Sequence, residues 1–214
     1  ETVVDKIVQD HKSDHFNNII KDLIVKVAIF SSGGTSYADS SESTILCVSI
    51  KEEDYKAKES ISLGIGKLYR SSFDIFNSHK ITNYLLSSKE KKIAQQNDFD
   101  DALIINEKNM VVETTSANFF WIKGTNVFPP SIETGALKGI TRGLVLEACK
   151  KNKIRIIEGE FEPGSIIFPE AMFVTNSARG IIEVVNLNNT TQPTRTKKLF
   201  PIIKAEVFEM LDWA

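Results

Sequence analysis

The sequence predicts a mixed α/β (α+β) protein with two domains. Its sheets are expected to combine parallel and antiparallel strands or to be antiparallel throughout. Short runs rich in β-branched and aromatic residues are interspersed with helical patterns. They do not follow the strict strand–helix alternation of a parallel sheet. A length of 214 residues allows one large core or two modest ones. We expect a boundary near residue 80, which separates a small α/β domain at residues 1–80 from a larger domain at residues 81–214.

The first domain is expected to combine helix and strand. Apolar spacing predicts a helix in two pieces over Val3–Leu23. Ile24–Phe30 is typical of a buried strand, Thr44–Ile50 of a second strand and Ser60–Tyr69 of a third. A loop rich in glycine and serine at residues 31–36 separates the first two strands.

The second domain begins with a predicted helix at Asn83–Gln95. Three short strands follow at Asp101–Asn106, Met110–Glu113 and Asn118–Lys123, and the polar residues 106–109 predict a hairpin turn. The remaining predicted elements are a helix at Thr141–Asn152, strands at Ile154–Glu158, Ala171–Thr175 and Gly180–Leu187, and a closing amphipathic helix at Lys197–Leu211.

Composition excludes several classes of partner. The chain is 42% hydrophobic and 25% charged with a net charge of −2, which argues against a nucleic-acid or anionic-membrane partner. No apolar run is long enough to cross a bilayer. Cys47 and Cys149 lie in apolar settings, and we interpret them as buried, reduced thiols of a cytoplasmic protein. Because the chain starts at Glu1 rather than methionine and lacks a signal-like segment, we expect the gene product to start earlier.

Three segments of the sequence suggest a single ligand site. They are Glu113–Phe120 (E-T-T-S-A-N-F-F), Leu137–Arg142 (L-K-G-I-T-R) and Val174–Gly180 (V-T-N-S-A-R-G). Each segment alone is a weak signal, but all three follow in this order after a lysine, Lys80, in H-K-I-T-N. Together they predict a site that receives a phosphate and an aromatic ring, the two parts of pyridoxal phosphate (PLP).

Lys80 and Glu113 have the side chains that this chemistry needs. Lysine forms a Schiff base with an aldehyde, which requires its amine to be deprotonated by desolvation or a nearby positive charge. A carboxylate at the strand end, Glu113, would keep a pyridine nitrogen protonated so that the ring withdraws electrons. The alternatives are a solvated lysine at a helix start and a strand-end glutamate in water.

The phosphate is expected at the start of the helix that follows Gly139, Ile140 and Thr141. The first N–H groups of a helix lack internal partners, and the helix dipole places partial positive charge there. The Ser177 hydroxyl would add a donor from the opposite side. Each of these residues alone is an ordinary turn residue. His11 and His15 have the i, i+4 spacing of metal ligands, but nothing nearby supplies a third ligand, so we expect no metal site.

In these motifs the chain resembles the fold-type IV family of PLP enzymes, which contains branched-chain aminotransferases, D-amino-acid aminotransferases and 4-amino-4-deoxychorismate lyases. The resemblance runs from Ile24 to the C-terminus. It implies a D-amino-acid aminotransferase-like fold of two domains, PLP as cofactor, a small amino substrate and a homodimer. By this resemblance Lys80 is the cofactor-linking lysine, and the cofactor-binding residues are Glu113, Leu137, Gly139, Ile140, Thr141, Asn176 and Ser177.

The resemblance also bears on the substrate. The G-T-S-Y segment ending at Tyr37 is similar to the family's G-R-G-Y segment without its arginine, and we expect Tyr37 and Arg179 to contact the substrate. Residues 1–23 do not match the family's H-x-x-R-L helix, whose arginine binds the phosphate. The N-terminal domain is therefore expected to be incomplete at its start.

Two details favour a lyase within this family. Two residues separate Lys80 from Asn83, as in lyases and D-amino-acid enzymes, and T-N-S-A-R-G is similar to a run common in aminodeoxychorismate lyases. The leading hypothesis is conversion of 4-amino-4-deoxychorismate to 4-aminobenzoate and pyruvate, a step of folate synthesis. The first alternative is transamination of a branched-chain or D-amino acid with a 2-oxo acid. The second is a catalytically idle PLP-fold protein that binds an anionic ligand.

Overall fold

The computed structural model describes residues 22–33, 43–53, 59–191 and 198–213, together with the helical residues 5, 6 and 9. Its backbone divides into two compact units, residues 1–57 and residues 58–214. The sequence placed the domain boundary later, near residue 80, whereas the strand Ser60–Ile65 pairs with the sheet of the larger unit. Most of the expected helix over Val3–Leu23 lies outside the described residues, and its last two residues are strand.

The described part of the smaller unit contains an antiparallel pair of strands, β1 (Asp22–Ser32) and β2 (Ser43–Glu53). Both strands were predicted, but the prediction that β1 is buried is wrong, because Ile29 is 69% exposed. Cys47 in β2 is also exposed, contrary to the prediction of a buried thiol, although it is free as expected. A two-stranded ribbon buries little by itself, since each face needs a covering layer.

The larger unit contains, among its described residues, a nine-stranded mixed sheet. The strands are β3 (Ser60–Ile65), β4 (Asp101–Ile105), β5 (Val111–Thr114), β6 (Asn118–Lys123), β7 (Asn126–Phe128), β8 (Arg155–Ile156), β9 (Ala171–Asn176), β10 (Gly180–Leu187) and β11 (Thr190–Thr191). Their order in the sheet is β5-β4-β3-β10-β9-β6-β7-β8, with β11 paired to β10. Pairing is parallel between β3 and both β10 and β4, and between β7 and β8; the other pairs are antiparallel.

In the described part of the larger unit, three longer helices accompany this sheet: α1 (Leu85–Gln96), α2 (Ile140–Lys151) and α3 (Leu199–Met210). All three confirm predicted helices to within two residues at each end. The β8 strand is shorter than the predicted Ile154–Glu158. The segment that pairs with β8 continues into Pro129 and Pro130, which have no N–H to donate. Regular pairing therefore ends at Ile156. Beyond it there are only separate hydrogen bonds, such as the one that Ile157 N–H donates to Val127 O at 2.9 Å.

Alternating side chains of the central strands form two of the three core clusters found among the described residues. On one face, Phe120 and Phe173 stack with ring centroids 5.0 Å apart and pack with α2 and α3. On the other face, Phe119, Trp121 and Met172 pack with side chains from β3, β4, β5 and β10. Burying each large apolar side chain stabilises the fold by about 1.5–3 kcal/mol. These cores fix β6 and β9 side by side, and both strands lead into the candidate site.

Candidate active site

Glu113 is the buried carboxylate at the centre of the site. It lies in β5, whose four residues are all buried. Its Oε1 forms an ion pair with Nη1 of Arg70. Its Oε2 accepts hydrogen bonds from Asn118 Nδ2 at 2.9 Å and from the Leu137 backbone N–H at 3.2 Å. Three separate segments of the chain therefore hold the two carboxylate oxygens.

Burial and charge act on Glu113 in opposite directions. Burial raises the pKa of the Glu113 carboxyl, because the charged form loses its solvation. The charge of Arg70 and its hydrogen bond, the Leu137 N–H and the charge of Lys80 all lower that pKa. Burial dominates, so the pKa lies above its usual value. The carboxyl is thus sensitive to any group that adds or removes positive charge.

Asn118 joins the carboxylate to the loop before α2. Its side-chain amide donates both to Glu113 and to the Leu137 carbonyl, the latter at 2.8 Å. The turn between β5 and β6 brings it there, closed by Thr114 N–H to Ala117 O at 2.8 Å. The amide has two hydrogens, so it satisfies both acceptors at once.

The start of α2 lies against the same asparagine. Gly139 is the N-cap, and within the described part of the chain no side chain caps this helix. A Cβ atom at Gly139 would lie 2.2 Å from Asn118 Oδ1, so the close approach requires glycine. Ile140 is 78% exposed at the first helical position, whereas Thr141 is buried. The first N–H groups of α2 are thus placed to receive an anion.

The end of β9 reaches the site from the neighbouring strand. Thr175 lies opposite Asn118 in the β6–β9 pairing, and its buried hydroxyl has no hydrogen-bond partner among the described residues. The Asn176 side chain then accepts hydrogen bonds from Ala178 N–H at 3.1 Å and Arg179 N–H at 2.9 Å. This closes the turn that carries Ser177. Both Ser177 and Arg179 are exposed.

Lys80 lies between a short 3₁₀ helix, Ile75–Ser78, and α1. Its side chain is exposed, and its Nζ lies 5.4 Å from the centre of the Tyr84 ring. Its charge is one of the influences that lower the pKa of Glu113. Tyr37, expected to contact substrate, lies outside the described residues.

The structure brings three of the expected residues together and adds three others. Glu113, Leu137 and Gly139 share one hydrogen-bond network through Asn118. The sequence motif contained Asn118 and Thr175 but suggested no role for either. Arg70 lies outside every motif, and nothing in its sequence context marked it. The added residues are Arg70, Asn118 and Thr175.

This arrangement of hydrogen-bond donors and a carboxylate acceptor suits a ligand with a phosphate and a protonated ring nitrogen. The start of α2 and the Thr175 hydroxyl, neither of which has a side-chain partner among the described residues, supply donors for an anion. The buried carboxylate of Glu113 supplies a negative charge for a ring nitrogen. The residues present therefore fit PLP. Among the described residues there is no group of potential metal ligands, and His11 and His15 lie outside that part of the chain.

The sequence matches the model of the family described as amino-transferase class IV over residues 4–187. The chain therefore belongs to this family, which is PLP-dependent. A Methanocaldococcus jannaschii protein with the provisional name branched-chain-amino-acid aminotransferase is 29% identical over 162 residues. The match covers 73% of this chain and 56% of that protein, so the chain spans little more than half of that relative's length.

Solved structures of the family have the same fold. A Legionella pneumophila protein with the provisional name 4-amino-4-deoxychorismate lyase is 25% identical, with a TM-score of 0.83 over 98% of this chain and 75% of that one. A Brucella abortus aminotransferase bound to PLP is 16% identical, with a TM-score of 0.82 over 96% of this chain and 74% of that one. The second likeness concerns the fold alone. The mixed α/β fold implied by the resemblance is confirmed. In the described residues no helix is long and apolar enough to cross a membrane.

Proposed function

We propose that this chain carries the PLP site of a lyase that converts 4-amino-4-deoxychorismate to 4-aminobenzoate and pyruvate. The observation that supports the site best is the buried Glu113 carboxylate, held by three donors beside the uncapped start of α2. The choice of lyase rests on the two-residue spacing between Lys80 and Asn83, on T-N-S-A-R-G, and on the likeness to the Legionella protein.

Bound PLP would supply an electron-accepting ring to which the substrate amine is attached. Lys80 would bind the cofactor covalently and, once released, would move protons as general base and acid. Glu113 would hold the ring nitrogen protonated, and Leu137 would pack on the ring. The backbone of Gly139 and Ile140 would receive the phosphate.

Polar side chains complete the site in this proposal. Thr141 adds a hydroxyl to the phosphate site from the first turn of α2. Asn176 orders the turn from which the Ser177 hydroxyl closes on the phosphate. Arg179 and Tyr37 contact the substrate. Loss of the enolpyruvyl group is favoured because the remaining ring becomes aromatic.

Transamination is the second candidate. It is supported by the 29% identity to the Methanocaldococcus jannaschii protein. In this case the same residues would transfer the amine of a branched-chain or D-amino acid to a 2-oxo acid. For either reaction we propose a homodimer, as the family resemblance implies, and a cytoplasmic location, as the unpaired cysteines suggest. For the lyase we propose a role in folate synthesis.

The two reactions are distinguished by their products. The chain is incubated with PLP and 4-amino-4-deoxychorismate, and pyruvate and 4-aminobenzoate are both measured. A parallel reaction supplies branched-chain or D-amino acids with 2-oxoglutarate, and new glutamate is measured. Lys80→Ala is the inactive control, and Lys138→Ala changes another exposed lysine near α2. Pyruvate and 4-aminobenzoate in equal amounts support the lyase; glutamate without pyruvate supports the transferase. PLP binding without either product supports the idle alternative.

A further inference from the structure

Arg70 occupies a position that the folded chain determines closely. Arg70 follows β3 in the chain. The hydrogen bonding of this segment to β4 is interrupted after the end of β3 and resumes at Arg70. Gly66 N–H donates to Leu103 O at 2.8 Å before the interruption, and Arg70 N–H donates to Ile105 O at 3.0 Å after it. Between them, the carboxylate of Glu90 accepts from Lys67 N–H and Leu68 N–H, each at 2.9 Å. Glu90 is 1% exposed, so this segment is anchored from inside the fold.

From this anchored backbone the Arg70 side chain reaches Glu113. One terminal nitrogen pairs with Glu113 Oε1, and the other lies 3.4 Å from Ser87 Oγ in α1. The side chains of Arg70 and Glu113 are 17% and 10% exposed, so water competes little for either group. A charge-assisted hydrogen bond in such a setting is stronger than one between neutral groups.

We propose that Arg70 is a positioning residue that fixes the Glu113 carboxylate in one orientation and preserves its negative charge for the ring nitrogen of the cofactor. This inference rests on the proposed PLP site. Of the three donors to Glu113, Arg70 is the charged one, whereas Asn118 and Leu137 contribute neutral N–H groups. Arg70 leaves Oε2 to these two donors, so each oxygen has a separate set of partners.

The charged groups around the Glu113 carboxyl determine how Arg70 affects its protonation. Burial raises the pKa of Glu113, and the positive charges that oppose this are Arg70 and Lys80. When Lys80 is bound covalently to a cofactor, its charge is no longer that of a free ammonium group. Arg70 then remains as the permanent cation, since a guanidinium stays protonated at any working pH. Without Arg70, the carboxyl would retain its proton to higher pH.

The first test needs no cofactor. The side-chain carbons of glutamate are labelled with ¹³C, and the Glu113 signal is assigned as the one lost in Glu113→Gln. We expect the Glu113 titration midpoint to move to higher pH in Arg70→Gln and to return most of the way in Arg70→Lys. Arg155→Gln, at an exposed arginine in β8, is the matched control and should leave the midpoint unchanged. An unchanged midpoint in a folded Arg70→Gln chain would overturn the proposal.

The second test uses the cofactor-loaded protein and whichever reaction it catalyses. Arg70→Gln should lower kcat roughly ten- to a hundredfold with a smaller change in KM, as when an outer partner of a metal ligand is removed. The acid limb of its pH profile should move to higher pH. In the double variant Arg70→Gln with Glu113→Gln, activity should fall no further than in Glu113→Gln alone. Additive losses would show that Arg70 does not act through Glu113.

The two tests separate the two proposals. If the ¹³C midpoint moves but neither substrate class is turned over, Arg70 controls Glu113 and the proposed reaction is wrong. If the loaded protein is active and neither the midpoint nor the acid limb moves, the reaction stands and the role of Arg70 is wrong. Thermal unfolding of each variant shows whether it is folded. If Arg70→Gln does not fold, the Glu113 titration midpoint and the pH profile are measured in Arg70→Lys instead.

Discussion

The buried carboxyl of Glu113 couples the stability of the cofactor-free chain to pH. Because burial raises its pKa in the folded state, the folded chain binds this proton more tightly than the unfolded chain does. The contribution of Glu113 to the free energy of unfolding is therefore largest below the ordinary glutamate pKa. It declines as the pH rises through the raised value.

This predicts a difference between the chain and its Glu113→Gln variant. The Tm of the cofactor-free chain should fall relative to that of Glu113→Gln as the pH rises from about 4, the ordinary glutamate value, through the raised pKa of Glu113. Other carboxyls titrate in both proteins and cancel in the comparison. The exposed carboxyl of Glu107, whose pKa is lowered by hydrogen bonds from Ser72, is one such group. Two parallel curves would show that Glu113 titrates as it does in water.

Covalent attachment of the cofactor is also a prediction about one residue. Lys80 lies in the segment between Ser78 and the start of α1 at Leu85, and its charge lowers the pKa of Glu113. Borohydride reduction of the PLP-loaded chain, followed by peptide mass mapping, should place the pyridoxyl group on Lys80. The nearby lysine Lys138 is the comparison site. A pyridoxyl group on Lys138 would move the covalent attachment to the loop before α2.

Sequence motifs could identify the residues of the site that are close together in the chain. Glu113 and Asn118 lie on either side of one turn, and Leu137 and Gly139 lie just before one helix, so local patterns include them. Arg70 lies 43 residues from Glu113 and reaches it through the pairing of β3 with β4. Such a contact depends on tertiary structure, and no local pattern of residue types encodes it.

At the level of helices and strands, the helix starts and hairpin turns could be predicted because their signals are local. The turn at residues 106–109 was predicted from its polar residues, and Asn109 has a positive φ of 61° there. Burial was less predictable. The apolar β1 is exposed at Ile29, because exposure depends on the neighbouring layers and not on the strand's own residues.

The start of α2 gives a prediction with a built-in control. Gly139→Ala would place a Cβ 2.2 Å from Asn118 Oδ1, whereas a Cβ at Gly143 in the same helix meets nothing within 4 Å. We expect Gly139→Ala to destabilise the chain by about 1–3 kcal/mol, because Asn118 must move away from Glu113 and Leu137. Gly143→Ala should stabilise it by about 0.5–1 kcal/mol through helix propensity.

The measurements are chemical unfolding of both variants and titration with PLP. Gly139→Ala should bind PLP more weakly, because the close approach of the backbone at the helix start is lost. Gly143→Ala should bind it as the unchanged chain does. If Gly139→Ala binds PLP normally, the phosphate is not held at the start of α2.

For the whole molecule, the mixed fold was predicted correctly from the sequence, but the order of strands in the sheet could not be predicted. The alternation of side chains along a strand indicates which of its faces are buried. It does not identify the strands that lie beside it in the sheet. In the larger sheet β3 lies between β4 and β10, and β10 is far along the chain. This pairing assigns Ser60–Ile65 to the larger unit rather than to the N-terminal part.

The larger unit should fold without residues 1–57. Among the residues that the structure describes, its three core clusters consist of residues between Ile61 and Leu211. A unit of this size buries roughly two thirds or more of its unfolded surface, which is sufficient for an independent core. Residues 58–214 should therefore unfold cooperatively and keep a near-ultraviolet circular dichroism spectrum from Trp121.

Cofactor binding by this fragment tests how much of the site the larger unit holds. Lys80, Glu113 and the start of α2 are all present in residues 58–214, so the fragment should still bind PLP and be reduced by borohydride at Lys80. Tyr37 is absent from it, and turnover should fall more than PLP affinity does. The full 214-residue chain is the control. A fragment that is folded but binds no PLP would show that residues 1–57 contribute to the cofactor site itself.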